Sequence, residues 1–374
     1  MGLLSRSLLA VLALLFVGFT AVTVITWDRW RFKMPRRIIG LLLSQVLLVA
    51  FAAAWINRQE YFFTSWSDLL GLSSTSGPPG GTVASRGKPV PKPPNSQLSA
   101  PATFSAKIAK LGGAGGHSVV EDTYVSGSKS GITLPMTTYV PAAYFDKANA
   151  NKRFPVVQLF SGYPGSLQTW TVGMQLQSTL DTLINQHKMQ PVIAEVALQY
   201  PSPPRDSECV NAAGGDQVDT FLTQDVPDYL KAALRTATDR TGWATMGVST
   251  GGFCAANLAL RHPTEYASVV SIGGYFDALI DDTTGDLYGG STELREANSP
   301  THTVQLHNRP PMSFYLFAIE DDPSSYPSTK NFIAAVKPPD GLAVVLQPTG
   351  GHNDGVWRSA SIRAWQWLGS QLKT

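Results

Sequence analysis

Residues Trp243–Arg261 have the sequence WATMGVSTGGFCAANLALR. The first six residues are apolar and short enough for a buried strand, and the last nine carry apolar residues at helical spacing. Between them, Gly247 and Gly251 flank Ser249, and glycine fits turns that are too tight for a Cβ atom. The segment ends at His262-Pro263, a usual helix stop. The pattern predicts a strand, a sharp turn that presents Ser249, and a helix.

The sequence around this segment alternates between strand and helix patterns. Strands are predicted at 118–126, 132–140, 154–160, 191–198, 243–248, 267–272, 312–319 and 342–347, and helices at 174–186, 219–236, 253–261, 328–336 and 357–372. The first two strands enclose a glycine-containing turn, which is typical of a hairpin. The later strands are short and largely apolar. Such strands between helices predict an α/β domain over residues 115–374, with a mostly parallel central sheet and helices on both faces.

The first 57 residues are predicted to form a membrane anchor. Two uncharged apolar runs, Ser7–Thr26 and Ile38–Ile56, are each long enough to cross a hydrocarbon core of about 30 Å. The alternative for the first run is a cleavable signal peptide, whose apolar segment usually has only about 7–15 residues. The connector Trp27–Arg37 carries five basic residues and one acidic residue. The positive-inside rule places it in the cytoplasm and everything after residue 57 outside.

Residues 58–114 are predicted to be a juxtamembrane segment and a linker. The stretch Ser73–Ala106 has seven prolines between Pro78 and Pro101, together with glycine, serine and lysine. Such a composition does not bury a core and favours an extended spacer.

The charge is distributed unevenly. The formal net charge is +2, but residues 1–57 alone have a net charge of +5 and the rest a net charge of −3. A mildly acidic domain argues against a nucleic-acid partner. The two cysteines exclude a four-cysteine zinc module, and we find no phosphate-binding loop or metal-ligand cluster. The sequence predicts neither a cofactor nor a metal.

Ser249 is the candidate nucleophile, since residues 247–251 form the only G-x-S-x-G pattern of the chain. The alternative is an ordinary strand-to-helix turn with a capping serine. A serine hydroxyl needs a base to become a nucleophile. Of six histidines, only His352 lies between the last predicted strand and the final helix. That is the place of the base in the chain order serine, acid, histidine.

The acid is expected directly after the strand 312–319, where three carboxylates follow one another. We favour Asp321, with Asp322 as the alternative and Glu320 as the third candidate. Acyl chemistry also needs two backbone N–H donors for the developing oxyanion. The expected donors are Thr250, which follows the serine, and Tyr163, in the loop after the strand 154–160.

The two cysteines are predicted to form a disulfide. Cys254 lies five residues after Ser249, and Cys209 lies in the loop after the strand 191–198. Loops and helix starts meet at the carboxyl ends of parallel strands, and an external compartment favours oxidation. The alternative is two separate buried thiols.

Three segments together resemble a known family: FPVVQLFSGYPGSLQTW at 154–170, GVSTGGFCAANLALRHP at 247–263 and GGHNDGVWRSASIRAWQWL at 350–368. They resemble the esterase branch of the α/β-hydrolases, which includes carboxylesterases, feruloyl-type esterases and the secreted mycolyltransferases of actinobacteria. The anchor is similar to those of predicted actinobacterial membrane esterases. The resemblance implies an α/β-hydrolase fold and a Ser249–Asp321–His352 triad with Tyr163 and Thr250 as oxyanion donors. Where many relatives have His-Gly, this chain has Ser161-Gly162.

The expected function is that of a membrane-anchored, extracytoplasmic serine esterase that forms an acyl-enzyme on Ser249. Its substrate would be a carboxylic ester, with lipids and cell-envelope components among the candidates. An acyltransferase of the mycolyltransferase type, acting on cell-envelope acceptors, is one alternative. The other is a catalytically inactive binding module, because a fold by itself does not establish an activity.

Overall fold

The computed structural model describes residues 5–27, 33–60, 90, 93–94, 98–112, 116–306 and 308–373. The chain divides into two compact units, residues 1–75 and residues 76–374. Each unit is described by itself.

The first unit contains two helices, α1 (Arg6–Ile25) and α2 (Lys33–Glu60). Their apolar segments have mean hydropathies of 2.8 and 2.3, and both are long and apolar enough to cross a membrane. The helices pack closely, because a Cβ on Gly40 would lie only 2.6 Å from the Thr23 methyl carbon. They coincide with the two predicted apolar runs, whereas residues 28–32 of the basic connector lie outside the described residues.

The second unit is built on one eight-stranded sheet. Its strands are β1 (Val119–Ser126), β2 (Thr133–Val140), β3 (Val156–Phe160), β4 (Ile193–Ala197), β5 (Trp243–Val248), β6 (Ser268–Ile272), β7 (Ser313–Ile319) and β8 (Gly341–Gln347). The order across the sheet is β1-β2-β4-β3-β5-β6-β7-β8. The β1–β2 and β2–β4 pairs are antiparallel, and all other pairs are parallel. The predicted hairpin and the mostly parallel sheet are therefore both present.

Helices cover this sheet. Those of eight residues or more are α3 (Pro101–Gly112), α4 (Leu176–Asn185), α5 (Val226–Ala233), α6 (Thr250–Arg261), α7 (Tyr326–Ala335) and α8 (Asp354–Gln371). Helix α6 is buried from its first residue to its eleventh, because it packs against the central strands. The helix predicted at 219–236 is interrupted by the π-helical turn Phe221–Asp225.

The domain begins before residue 115, the boundary that we predicted. Helix α3 lies within the predicted linker, yet Phe104 and Ile108 are buried in the main hydrophobic core. The Phe104 ring lies 5.8 Å from the ring of Tyr229. The linker assignment of residues 101–112 was wrong because the proline-rich composition ends at Pro101, and apolar residues four apart then favour a helix. Most of residues 61–97 lie outside the described residues.

Candidate active site

Ser249 occupies the turn between β5 and α6 in a backbone conformation that side chains seldom adopt, with φ 53° and ψ −126°. Its N–H donates to the carbonyl of Ile272 at 3.0 Å, which fixes the turn against β6. The flanking glycines are required by close approach. A Cβ on Gly247 would lie 1.8 Å from the carbonyl oxygen of Gly251, and one on Gly251 would lie 2.1 Å from that of Phe160. The sequence therefore produces a sharp turn that presents a serine.

A chain of hydrogen bonds starts at this serine. Ser249 Oγ lies 2.8 Å from His352 Nε2, and His352 Nδ1 lies 2.7 Å from Asp322 Oδ2. The carboxylate requires the proton of the neutral imidazole to be on Nδ1, which leaves Nε2 free to accept from the serine hydroxyl. The three elements that supply these side chains follow β5, β7 and β8, whose carboxyl ends meet at one edge of the sheet.

The structure corrects the predicted acid, because Asp322 and not Asp321 contacts His352. Asp322 is 3% exposed and faces the imidazole. Asp321 is exposed, and its Oδ1 is 3.4 Å from the backbone nitrogen of Gly351. Glu320 is also exposed and accepts from the hydroxyl of Tyr326 at 3.0 Å. The turn after β7 thus directs one carboxylate inward and leaves the other two at the surface.

Asp322 is surrounded by donors that favour its charged form. Burial by itself would raise the pKa of Asp322, but hydrogen bonds from Ser324, Ser325 and His352 lower it to about 2. Oδ1 accepts from the N–H of Ser324 at 2.9 Å, and Oδ2 accepts from the hydroxyl of Ser325 at 2.6 Å. The carboxylate therefore stays ionised over the whole neutral range and orients the imidazole.

His352 is held from its other side by Trp357. The two rings are nearly perpendicular, at 88°, and their centroids are 4.6 Å apart. Trp357 is buried in the first turns of α8. That helix begins where Asn353 accepts from the N–H of Val356 at 3.1 Å, a side-chain N-cap. The cap and the tryptophan together fix the loop that carries the histidine.

The two predicted oxyanion donors flank the serine. Thr250 is the next residue, and Tyr163 follows Gly162, where a Cβ would lie 3.1 Å from the Cβ of Ser249. Within the described part of the chain, the N–H groups of Tyr163 and Thr250 have no hydrogen-bond acceptor. Free N–H groups at such positions are what an oxyanion site requires.

Two residues directly after β4, which sequence reasoning missed, hold the loop before Tyr163. Gln199 accepts from the N–H of Ser161 at 3.1 Å and donates to the Ser161 carbonyl at 2.9 Å. The hydroxyl of Tyr200 donates to the carbonyl of Gly162 at 2.8 Å. These two residues could have been identified from the sequence as a polar pair that closely follows a buried strand.

The predicted disulfide between Cys209 and Cys254 is present, with Cα atoms 5.6 Å apart. It joins the loop after β4 to helix α6, one and a half turns after Ser249. Neither cysteine is exposed. The bond therefore ties the loop to the helix that begins beside the serine.

A second histidine–carboxylate pair lies elsewhere. His262 Nε2 is 2.6 Å from Asp219, which also accepts from Arg261 at 3.0 Å. These contacts fasten the end of α6 away from Ser249, so they are structural. Among the residues that the structure describes, no three histidine, cysteine or acidic side chains form a group that could hold a metal.

The model of a family described as putative esterase matches residues 131–372, which are nearly two thirds of the chain. An uncharacterized protein of Corynebacterium glutamicum is 26% identical over 241 residues, which are 62% of this chain and 55% of that protein. The diacylglycerol acyltransferase/mycolyltransferase Ag85A of Mycobacterium leprae is 32% identical over 102 residues, which are 23% of this chain and 30% of that protein. The chain thus spans about half or less of the length of these relatives.

The second unit also resembles solved structures. A ferulic acid esterase superposes with a TM-score of 0.58 at 17% identity, over 68% of this chain and 98% of that chain. At this identity the likeness shows the fold alone, which is the α/β-hydrolase fold expected from the sequence. Because the family model matches more than half of the chain, and covers the Ser249 turn and both of its hydrogen-bonded partners, this chain belongs to the putative esterase family.

Proposed function

We propose that Ser249 is the nucleophile of a membrane-anchored esterase whose catalytic domain lies outside the cytoplasm. The observation that carries the proposal is the unbroken series of contacts from Ser249 through His352 to Asp322, at 2.8 and 2.7 Å. Such distances are within the range for proton transfer between a nucleophile and its base.

The proposed reaction has two halves. Ser249 Oγ attacks the ester carbonyl while His352 Nε2 takes the hydroxyl proton, and the N–H groups of Tyr163 and Thr250 donate to the oxyanion. The tetrahedral intermediate collapses, the C–O bond to the alcohol breaks, and the imidazolium returns the proton to the departing oxygen. Water then attacks the acyl-enzyme with the same proton movements, releasing the acid and regenerating the serine.

Hydrolysis is the favoured outcome because the site is open. Ser249 is partly exposed, and the side chain of His352 is 32% exposed, so bulk water can reach the acyl-enzyme. The local similarity to Ag85A supports a second candidate, in which an alcohol acceptor takes the place of water. An acceptor screen separates the two. p-Nitrophenyl esters of increasing chain length are turned over with and without added alcohols, and acyl transfer appears as a new ester in the products.

The proposal is tested against the inactive-module alternative by covalent labelling. A fluorophosphonate probe should modify Ser249, and Ser249→Ala should abolish both labelling and ester turnover while the melting temperature stays nearly constant. His352→Ala should lose turnover in the same way. A folded wild-type protein that takes up no probe would show that the domain is an idle binding module.

The membrane location is tested separately. The positive charge of the connector 27–37 and the two apolar helices support an anchor with residues 58–374 outside the cytoplasm. Protease added to intact cells should release a soluble, active domain. Protection in intact cells, with cleavage only after lysis, would reverse the orientation.

A further inference from the structure

One buried carboxylate beside the active site has no role in the reaction proposed above. Asp206 lies in the loop after β4 and is 2% exposed. Its Oδ2 accepts from the hydroxyl of Thr250 at 3.3 Å, and its Oδ1 accepts from the N–H of Glu208 at 2.9 Å. Its own N–H donates to the carbonyl of Thr283 at 3.0 Å. Asp206 therefore connects the residue after the nucleophile to two loops.

The stretch that contains Asp206, residues 199–209, contacts both sides of the proposed oxyanion site. At one side, Gln199 and Tyr200 hold the backbone of residues 161–162, and the hydroxyl of Tyr163 donates to the carbonyl of Pro204. At the other side, Asp206 contacts Thr250, and the disulfide at position 209 joins α6. Residues 199–209 thus set the separation of the two N–H donors. Within this stretch, Asp206 is the residue that contacts Thr250, the donor beside the serine.

The surroundings of Asp206 contain several acidic and phenolic groups. The titratable groups that face it from its own loop, the loop after β3 and the loop after β6 are Tyr163, Tyr200, Glu208, Tyr275, Asp281 and Tyr288. The guanidinium of the neighbouring Arg205 instead donates to the carbonyls of Thr284 and Asp286. No cation in the described residues offsets a charge on this carboxylate.

Burial is the main reason that the pKa of Asp206 is raised to about 7, and the charge of Asp281 acts in the same direction, while the hydrogen bonds from Glu208 and Thr250 oppose it. An ionised Asp206 would place negative charge in contact with the side chain of Thr250, the residue whose N–H is proposed to stabilise the oxyanion. At short range in a partly desolvated site, such a charge opposes the transition state by an amount that corresponds to roughly tenfold or more in rate.

We propose that Asp206 is a positioning residue of the acyl-transfer site, which holds Thr250 in place while it is a neutral carboxylic acid. The inference rests on the proposed function of Ser249. It adds a restriction that the triad does not impose: turnover should decline on the alkaline side as this carboxyl loses its proton.

The test compares two substitutions of Asp206 over pH 5 to 9. In Asp206→Asn the amide oxygen accepts from the N–H of Glu208, and the NH2 group can donate to the hydroxyl oxygen of Thr250. The contact is kept but the group cannot ionise, so this variant should retain turnover near pH 6 and lose the alkaline decline of kcat. Asp206→Ala removes the contact and cannot ionise, so its kcat should lie about tenfold below the wild-type maximum without the alkaline decline, with a smaller change in KM. Asp281→Asn is the matched control. Hydrogen bonds from Thr283 and Thr284 outweigh burial and keep the pKa of Asp281 low, so Asp281 itself stays ionised over this range. Asp281→Asn should therefore keep an alkaline decline, shifted towards lower pH because the lost charge no longer raises the pKa of Asp206.

The two ideas fail in different ways. If Ser249→Ala retains turnover, the proposed function is wrong. If turnover depends on Ser249 but Asp206→Asn declines on the alkaline side as the wild type does, the neutral carboxylic acid is wrong. Urea unfolding gives a readout that needs no activity. The midpoint should fall more between pH 5 and pH 8 for the wild type than for Asp206→Asn, and equal falls would overturn the inference.

Discussion

Replacing Asp322 by asparagine should nearly abolish catalysis, although the change is small in volume. Oδ1 of Asp322 accepts from the backbone N–H of Ser324, which can only donate. An asparagine at 322 would therefore keep its oxygen at that position and turn its NH2 group towards His352 Nδ1. Since an NH2 group can only donate, Nδ1 would have to give up its proton, and the imidazole proton would move to Nε2. The base would then face Ser249 Oγ with an N–H instead of a lone pair.

The size of the effect follows from this change of tautomer. In serine hydrolases the equivalent substitution lowers kcat by about 10⁴, which corresponds to roughly 5.5 kcal/mol of transition-state stabilisation. Asp321→Asn is the matched control, because Asp321 is exposed and lies 3.4 Å from its nearest donor, the N–H of Gly351. Its kcat should change less than about threefold, as for most surface contacts.

The assay is the hydrolysis of p-nitrophenyl acetate by both variants at pH 7.5, with melting temperatures measured alongside. Both variants should unfold within a few degrees of the wild type, so that lost activity reflects chemistry and not stability. The reasoning is refuted if Asp321→Asn is the more impaired variant. It is also refuted if Asp322→Asn retains more than a tenth of the wild-type kcat.

Three further predictions concern the fold around the site. Burial raises the pKa of Glu195 in β4 to about 8 from 4.5, so the folded protein keeps a proton that the unfolded chain releases. Glu195 alone should make the free energy of unfolding fall by about 1.4 kcal/mol per pH unit from pH 4.5 to 8, and Glu195→Gln should make the slope in urea titrations shallower by that amount, leaving the contribution of Asp206 in place. Gly162→Ala should lower kcat roughly tenfold with little change in melting temperature, since the new methyl would lie 3.1 Å from the Cβ of Ser249; unchanged kcat would contradict this reading. Cys209→Ala combined with Cys254→Ala should lose about 4 kcal/mol of unfolding free energy, because the bond closes a loop with a sequence separation of 45, and an unshifted urea midpoint would argue against it.

The elements around Ser249 could be predicted from local sequence, because each depends on its own residues. The apolar run of β5, the two glycines and the spacing of α6 are all contained in nineteen consecutive residues. His352 was also predictable, since it is the only histidine between the last strand and the final helix. In both cases the information lies in chain order, which a sequence displays directly.

The acid could not be chosen in the same way. Glu320, Asp321 and Asp322 have similar chemistry, and strand alternation stops at the end of β7. Their directions are set by the turn that follows, in which the N–H of Asp322 donates to the carbonyl of Ile319 at 3.1 Å. Serines at 324 and 325 then bind the inward carboxylate. This geometry depends on the conformation of the turn, which the composition of the three acidic residues does not specify.

Helix α3 was missed for a different reason. A window that includes the prolines before it has the composition of a spacer, which hides a short amphipathic helix at its end. The helix is stabilised by burial of Phe104 and Ile108 against the domain, an energy that no local propensity reports.

The strained backbone at Ser249 lowers the stability of the fold, while the proposed activity requires a serine at this position. A non-glycine residue at φ 53° and ψ −126° stores on the order of 1–3 kcal/mol of strain, which glycine would not carry. A chain free to drift towards greater stability would therefore exchange this serine for glycine, and the fold would gain by the loss of its nucleophile. The strained residue is a serine with an imidazole in hydrogen-bond contact, so under the proposed function the site keeps its nucleophile and forgoes the stability that glycine would give.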